Sequence, residues 1–388
     1  MSRSIERLSE YAEPLGDELV TAIISIKSIC DNRPGTLDGL LAATEHILRL
    51  RHTLVDSKRP REAKDAFRTL QGFDALLGLI RLLADFYDPS SQPREDRKVL
   101  LTLFKDVMIV LAESLREQPG NRRFFAKKIE GGGPAYIEKS LMALVGKSND
   151  GEPGCRDSEL IYGGILAAAL SQETVSEIFS TLSSKYCSDW GNNDAPATSK
   201  IRAGLRQLMG AEKTIELQEF LGPWLRVWLA QSSENVAEYP ILRLAIPACL
   251  CELASHSRKN IVALHSTGML ASILPIIISG GRTDQEQSLY QELAEKLLIE
   301  GVNSLEDAVK LYRQAYDSPA ISRLLLHAVR ASRGPPCIYF DMASYGYSSV
   351  ELPDLGRPFP PMSSGGYTLS VWVQFDRFDP DSHTTIFG

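Results

Sequence analysis

Several features that mark secreted, membrane-spanning or glycosylated proteins are missing from this sequence. No Asn-x-Ser/Thr sequon occurs in its 388 residues. The first sixteen residues, MSRSIERLSEYAEPLG, lack an apolar stretch of the length that a signal peptide needs. The longest uncharged apolar run, Met269–Ile278, has ten residues, about half of what a membrane-spanning helix requires. We therefore expect a cytoplasmic protein.

Cysteine and positive charge are also scarce. The chain has six cysteines scattered over a length that can bury an ample core, so we expect reduced thiols rather than a disulfide framework. Its 42 basic and 49 acidic residues give a formal net charge of −7. Because non-specific nucleic-acid binding needs a basic face, this balance argues against a nucleic-acid partner.

Helical periodicity dominates the chain up to about residue 335. The clearest case is TIELQEFLGPWLRVWLAQ, in which apolar residues from Leu217 to Leu229 recur at the spacing of one helix face. Gly222 and Pro223 interrupt this stripe and predict a kink or two short helices in line. Comparable stripes separated by Gly/Pro-rich or polar breaks predict about a dozen helices of roughly 10 to 18 residues. The helices share no heptad seam, and many such helices in series favour an α-solenoid.

Three stretches share one plan, in which an amphipathic helix ends, glycine follows and a second apolar helix begins. They are FRTLQGFDALLGLI, FFAKKIEGGGPAYIEKSL and NIVALHSTGMLASILPII. We expect Gly72, Gly133 and Gly268 to turn the chain at positive φ, where a residue without Cβ has no steric penalty. The gap of 135 positions between the last two glycines fits about three armadillo-type units. The pattern predicts an armadillo-like solenoid over residues 1–334.

The pattern changes after RASRGPPC, where Pro335 and Pro336 end the last helical stretch. In GGYTLSVWVQFD the apolar residues from Tyr367 to Phe375 alternate with mostly polar ones, as in a half-buried β-strand. We therefore predict a second, β-type domain over residues 335–388. A β-sandwich of minimal type needs about 100 residues, so this domain is expected to be incomplete.

The last stretch resembles the start of the concanavalin A-like lectin module of BEACH-domain (beige/neurobeachin-like) proteins. The motifs that carry the resemblance are YFDM, VELPDLGR, GGYTLSVWVQFD and HTTIFG. Gly366, Tyr367, Thr368, Ser370 and Trp372 follow the family pattern, whereas Leu369 replaces its usual aromatic residue. Upstream, DAFRTLQGFDALL, NRRFFAKKIEGGGPAYIE and SRKNIVALHSTGML are similar to the armadillo-like region that precedes the lectin module in that family.

The resemblance implies a mainly α protein, an armadillo-like solenoid followed by the beginning of a β-sandwich. It implies a non-enzymatic scaffold in vesicle trafficking, membrane fusion or fission, and lysosomal or vacuolar sorting. The solenoid surface would bind protein partners. The full-length protein would be cytoplasmic and peripherally membrane-associated, through a PH–BEACH–WD-repeat part beyond Gly388.

Two groups of residues are candidates for partner binding. Arg122, Arg123, Lys127 and Lys128 form a basic cluster that could meet an acidic peptide or anionic lipid, although a solvated helix face is the alternative. Trp224 and Trp228 lie one turn apart and could form a binding ridge, although core packing between solenoid layers is the alternative.

No catalytic constellation, metal-ligand spacing or cofactor motif is found, so we expect neither enzyme activity nor a cofactor. LVGKSND lacks the earlier glycine of a nucleotide-binding loop, and the histidines show no metal-binding pairing. Two alternatives stay open. One is a free-standing armadillo-type adaptor unrelated to trafficking. The other is a carbohydrate-acting or carbohydrate-binding protein that works through the β-module.

Overall fold

The computed structural model describes residues 15–56, 59–127, 132–147, 157–190, 198–211, 213–234, 240–279, 283–301 and 305–331. Throughout these ranges the ordered elements are helices, and no strand is found among them. This confirms the predicted all-α solenoid for the described part. Residues 332–388, including the predicted β-module and the boundary at 334/335, lie outside the described residues, so those expectations stay predictions.

The helices are numbered in chain order. The first nine are α1 (Leu15–Asn32), α2 (Leu37–Leu41), α3 (Ala43–Val55), α4 (Pro60–Thr69), α5 (Gly72–Phe86), α6 (Arg94–Leu115), α7 (Pro119–Lys127), α8 (Gly133–Lys147) and α9 (Asp157–Leu170). A 3₁₀ helix (Glu173–Glu177) precedes α10 (Ile178–Trp190), α11 (Thr198–Met209), α12 (Gln218–Glu234), α13 (Pro240–His256), α14 (Arg258–Ser266), α15 (Met269–Ser279), α16 (Asp284–Leu298), α17 (Leu305–Asp317) and α18 (Pro319–Ala331).

The sequence-based estimate of about a dozen helices was too low. It missed α2 as a separate helix, because five residues give too few turns for a clear period, whereas the three repeat-like stretches had already indicated α4, α7 and α14. Of the two outcomes expected at Gly222-Pro223, two short helices in line was wrong, since α12 runs through Pro223 as one helix, and the kink stays a prediction. Pro223 lies early in α12, where few intrahelical bonds precede it.

The helices form two rows. In the first row, α1, α5, α8, α12 and α15 each pack against the next. In the second row, α3, α6 and α9 pack in succession, as do α11, α13 and α16. The 3₁₀ helix contacts both α9 and α11 and so connects the two halves of the second row. A single cluster of buried apolar residues extends from α1 to α18 between these helices.

Helix α9 is buried on nearly all sides, which explains its unusual sequence DSELIYGGILAAAL. Its small residues allow close packing, and the 3₁₀ helix covers it directly. A Cβ at Gly163 would lie 2.0 Å from the carbonyl oxygen of Ser176 in that 3₁₀ helix. Glycine is therefore needed at this position for close backbone approach.

The three predicted turn glycines play two different roles. Gly268 has φ +76 and turns the chain between α14 and α15, as expected. At the other two junctions the residues with positive φ are Gln71 and Gly132, one position earlier. The prediction was therefore wrong for Gly72 and Gly133, which begin α5 and α8.

Gly72 and Gly133 are needed for packing instead. A Cβ at Gly72 would lie 2.2 Å from the ring of Phe67, and a Cβ at Gly133 would lie 2.3 Å from the ring of Phe125. At both junctions the aromatic ring of the short helix lies against the first residue of the long helix. Phe73 contacts both of these rings, with centroid distances of 5.1 and 5.9 Å, and thus connects the two junctions.

A buried asparagine holds each of two short helices to its neighbours. In α7, Asn121 donates from Nδ2 to the carbonyl oxygens of Lys64 and Ser114, both at 2.9 Å. Its Oδ1 accepts from Arg68 at 3.1 Å. The Ser114 carbonyl lies in the last turn of α6, where a helix has no internal donor to offer.

Asn260 repeats this arrangement in α14. Its Nδ2 donates to Lys213 at 2.6 Å and to Leu253 at 2.8 Å, and its Oδ1 accepts from the backbone N–H of Ile215 at 2.8 Å. Ser114 and Leu253 each lie seven positions before the asparagine that binds them. The same hydrogen-bonding arrangement therefore occurs in two distant units of the chain, and both asparagines are fully buried.

Replacing the glycines tests their two roles. We expect Gly72→Ala to lower the free energy of unfolding by about 1–3 kcal/mol through overpacking against Phe67, and to cost clearly less in a Phe67→Leu background. Gly268→Ala is expected to cost about 1–2 kcal/mol in both backgrounds, because its penalty is in the backbone. Urea unfolding measures the cost of each glycine substitution with and without Phe67→Leu, and the two double-mutant cycles compare these costs. An equal cost of Gly72→Ala with and without Phe67 would contradict the packing role.

Replacing Asn260 tests how much the hydrogen bonds of the buried asparagine stabilise the protein. We expect Asn260→Ala to destabilise the protein by about 2–4 kcal/mol, since buried carbonyls lose their donor. The matched control is Asn32→Ala, because Asn32 is exposed on α1 and bonds only to Ser28 in the described chain. Thermal and urea unfolding of both variants give the comparison. An equally small loss of unfolding free energy in the two variants would show that the hydrogen bonds of Asn260 contribute little to stability.

Candidate partner-binding surfaces

The basic cluster predicted from the sequence is divided by the structure. Arg122 forms a two-pronged ion pair with Glu219, with Nε–Oε1 at 2.6 Å and Nη2–Oε2 at 3.1 Å, and so connects α7 to α12. Arg123 and Lys127 are exposed one turn apart on α7, and neither has an ion-pair partner in the described ranges. Lys128 lies outside the described residues. Arg123 and Lys127 remain predicted contact residues, whereas Arg122 has a structural partner.

The two tryptophans lie in the core. Both indole rings are fully buried, as the core-packing alternative expected. Trp224 donates from Nε1 to the carbonyl of Tyr162, and Trp228 donates to the hydroxyl of Tyr290, both at 3.1 Å. The ring of Tyr162 meets each indole edge to face, at centroid distances of 6.0 and 5.7 Å. A buried indole offers no surface to a partner, so we do not place the binding surface there.

A charged network in the second row was not found by sequence reasoning. Arg202 of α11 donates from Nε to Glu252 of α13 at 2.6 Å and from both terminal nitrogens to Glu292 of α16 at 2.7 and 3.1 Å. Arg206 adds two further bonds to Glu252, at 2.6 and 3.0 Å. These four residues connect three helices. Their separation along the chain, 46 to 90 positions between bonded residues, left no local pattern to detect.

The network shifts the acidity of its members. Burial by itself raises the pKa of Glu252, but hydrogen bonds from Arg206 and Arg202 outweigh this effect and lower the pKa below its ordinary value. Burial also works against the charge of Arg202, yet its bonds to Glu292 and Glu252 raise its pKa. Glu252 and Arg202 are therefore both charged near neutral pH.

An open groove lies beside this network, between α11 and α16. Its volume is about 310 Å³, and it is lined by Leu289 together with polar or charged residues, namely Thr198, Arg202, Asp284, Gln285, Ser288 and Glu292. Side chains of both charges are thus already held in place there by packed helices. Such a surface can offer hydrogen bonds and charge pairs to a protein segment at little ordering cost.

A second set of ion pairs secures the 3₁₀ helix over α9. Glu173 accepts from Arg51 of α3 at 2.6 Å and lies 3.7 Å from the ammonium group of Lys105 on α6. The hydrogen bond from Arg51, supported by both positive charges, lowers the pKa of Glu173 despite partial burial. This carboxylate therefore stays charged near neutral pH and links three elements of the second row.

The described cysteines show no sign of a reactive thiol. Burial raises the pKa of Cys249 to about 12 and that of Cys30 to about 11, so both thiols are protonated near neutral pH. Within the described ranges no group of three His, Cys, Asp or Glu side chains is placed to hold a metal ion.

No single helix in the described part of the chain is long and apolar enough to cross a bilayer. One pair, Arg258–Ser266 with Met269–Ile278, passes that test only jointly and is bent by 81°. In the structure these two segments belong to α14 and α15, whose inward residues pack in the common core.

Two rows of stacked helices, with short helices at the junctions, define a helical-repeat protein. Residues 14–303 match the family of armadillo-like repeats, and the chain belongs to that family. No curated protein and no solved structure matches the chain. The family match ends before the stretch with BEACH-type motifs, which therefore stays a resemblance.

Removing one carboxylate tests the Arg202 network. Because the pKa of Glu252 is lowered in the folded state, its stabilisation is present above about pH 4.3, the ordinary glutamate value, and is lost as pH falls through the folded-state pKa. We expect Glu252→Gln to destabilise the protein by about 1–3 kcal/mol at pH 7 and to flatten the fall of stability below about pH 4.3.

The matched control is Glu62→Gln. Its carboxylate pairs with Arg59 one turn away, and both side chains are largely exposed, so we expect a change below about 0.5 kcal/mol. Urea unfolding from pH 3 to pH 7 measures both variants. Parallel pH profiles for Glu252→Gln and the unmodified protein would show that the network is not a stabilising unit.

Proposed function

We propose that this protein is a non-enzymatic interaction scaffold whose second row of helices binds a protein partner. Membership of the armadillo-like family supports this proposal, since such repeats generally mediate protein binding. The observation that carries it is the groove between α11 and α16, where the ion pair of Arg202 and Glu292 is held on packed helices beside the exposed Asp284. The proposed role requires binding and no chemical reaction. Burial and ion pairing account for the shifted pKa values of the described side chains.

The cellular role that we propose is vesicle trafficking, including membrane fusion or fission and lysosomal or vacuolar sorting. Its support is the resemblance of YFDM, VELPDLGR, GGYTLSVWVQFD and HTTIFG to the start of the BEACH-type lectin module. On this proposal membrane association is indirect, through partners or through regions beyond the present chain. No nucleic acid is expected as a partner, in keeping with the net charge of −7.

Filling the groove tests both the surface and the role. Ser288 is exposed in the groove, and Ser28 is exposed on α1 in the first row. We expect proximity labelling by the unmodified chain in cells to enrich membrane-trafficking proteins. Ser288→Trp should lose this enrichment about tenfold or more, as expected when a central interface site is blocked, whereas Ser28→Trp should keep it.

The outcomes separate the two parts of the proposal. A partner set that is lost with Ser288→Trp but contains no trafficking protein would keep the scaffold and overturn the trafficking role. A trafficking set that is unchanged by both substitutions would place the binding surface elsewhere. Circular dichroism and unfolding curves of the two variants check that both remain folded.

A further inference from the structure

The last two helices differ from the rest of the array in their outward residues. On α17, Leu311 is buried, whereas Val309, Tyr312 and Tyr316 are 42%, 63% and 93% exposed. These three residues recur at i, i+3 and i+7, so they form one stripe on the solvent side of the helix. An aromatic side chain exposed to this degree is typical of an interaction surface rather than of a core.

The neighbouring helix extends this apolar surface. Ser322 of α18 donates from Oγ to the carbonyl of Ala315 on α17, which shows which side of α18 borders α17. Leu326 and Val329 are at i+4 and i+7 from Ser322 and thus lie on that same side. They are 58% and 53% exposed. We call Val309, Tyr312, Tyr316, Leu326 and Val329 the terminal face.

Among the described side chains of α17 and α18, exposed positive charge outnumbers exposed negative charge, which Asp317 alone supplies. Arg313 of α17 and Arg323 and Arg330 of α18 are exposed, and none of them has an ion-pair partner among the residues that the structure describes. Elsewhere in the array most arginines pair with a carboxylate, as Arg49 and Arg226 do. Three unpaired guanidinium groups around an apolar stripe favour a ligand with carboxylates beside its own apolar residues.

The packing of earlier units indicates what kind of element fits there. Helix α6 packs against both α4 and α5, and α16 packs against both α14 and α15. In each case a third helix covers the preceding pair. The pair α17 and α18 has no such helix in the described ranges. The sequence after residue 336 shows period-two rather than helical patterning, so it predicts no helix of this chain for that position.

We propose that the terminal face is a docking site for an amphipathic helix of a partner protein, with acidic residues flanking its apolar stripe. The partner helix occupies the position that a third helix takes in the earlier units. Its apolar residues at i, i+3 or i+4, and i+7 contact Tyr312, Tyr316 and Leu326, and its carboxylates pair with the arginines. This inference deepens the proposed function, since it rests on the chain acting through protein binding.

A pair of synthetic peptides tests the proposal on the full chain. One peptide of about 18 residues carries leucine at helix-face spacing with flanking glutamates, and the other has lysines in place of the glutamates. We expect fluorescence anisotropy to show binding of the acidic peptide at least about tenfold tighter than that of the basic peptide. The difference should shrink as salt is added, because the charges are exposed. Equal affinity of the two peptides would overturn the charge assignment.

Substitutions locate the site. Tyr316→Ala should weaken the acidic peptide about tenfold, as loss of an aromatic anchor does. Arg313→Glu with Arg330→Glu should reverse the preference toward the basic peptide. The controls are Ile24→Ala, an exposed apolar residue on α1, and Arg61→Glu, an exposed arginine on α4. Since Tyr316 is almost fully exposed, its variant is expected to fold normally. Affinity that is unchanged by Tyr316→Ala would overturn the site.

Cross-linking identifies the occupant. A photo-reactive phenylalanine analogue at position 316 of the full chain should cross-link to the acidic peptide. Cross-links within the same chain, or between two copies, that persist in excess peptide would assign the face to the chain itself and overturn the proposal. Competition by phosphatidylserine vesicles would assign it to an anionic membrane and overturn it as well. Every readout here uses defined peptides. Failure of this inference would therefore not count against the proposed binding surface in the groove between α11 and α16.

Discussion

The arrangement of units depends on satisfying backbone carbonyls at the junctions where helices end. A helix end buried without partners is costly, since its last carbonyls have no internal donors. In this protein Asn121 and Asn260 supply those donors and at the same time bond to an earlier segment. Each asparagine therefore fixes three chain segments with one side chain. At the junction after α7, which carries Asn121, and at the one between α4 and α5, phenylalanine–glycine contacts set how closely the short helix approaches the next long one.

Charge is used differently along the array. In the second row, Arg202 and Glu252 bond across helices, with the carboxylate almost fully buried, so these charges hold the helices together. At the end of the array, Arg313, Arg323 and Arg330 face solvent without partners among the described residues. The first kind of charge stabilises the fold and lines the groove between α11 and α16, whereas the second kind is free to form an ion pair with another molecule. Exposure and pairing distinguish them, whereas residue type does not.

The same distinction explains the outcome for the predicted contact residues. Trp224 and Trp228 have a helical spacing that suits a buried stripe and an exposed ridge equally well, and only their burial decides between the two. Arg122 and Arg123 are adjacent in the sequence, yet one reaches Glu219 on α12 and the other faces solvent. The exposed stripe of Val309, Tyr312 and Tyr316 was overlooked, because an apolar period on a helix predicts burial by default.

The sequence by itself determined the class of fold, because apolar periodicity and glycine- or proline-rich breaks act within a few turns of the chain. It also indicated the repeat plan, including the turn at Gly268. Only the tertiary structure decided why Gly72 and Gly133 are glycines, which charges pair, and which apolar residues stay outside the core. Those properties depend on contacts between residues that are dozens of positions apart, such as Arg202 and Glu292. Local sequence patterns do not predict such long-range contacts.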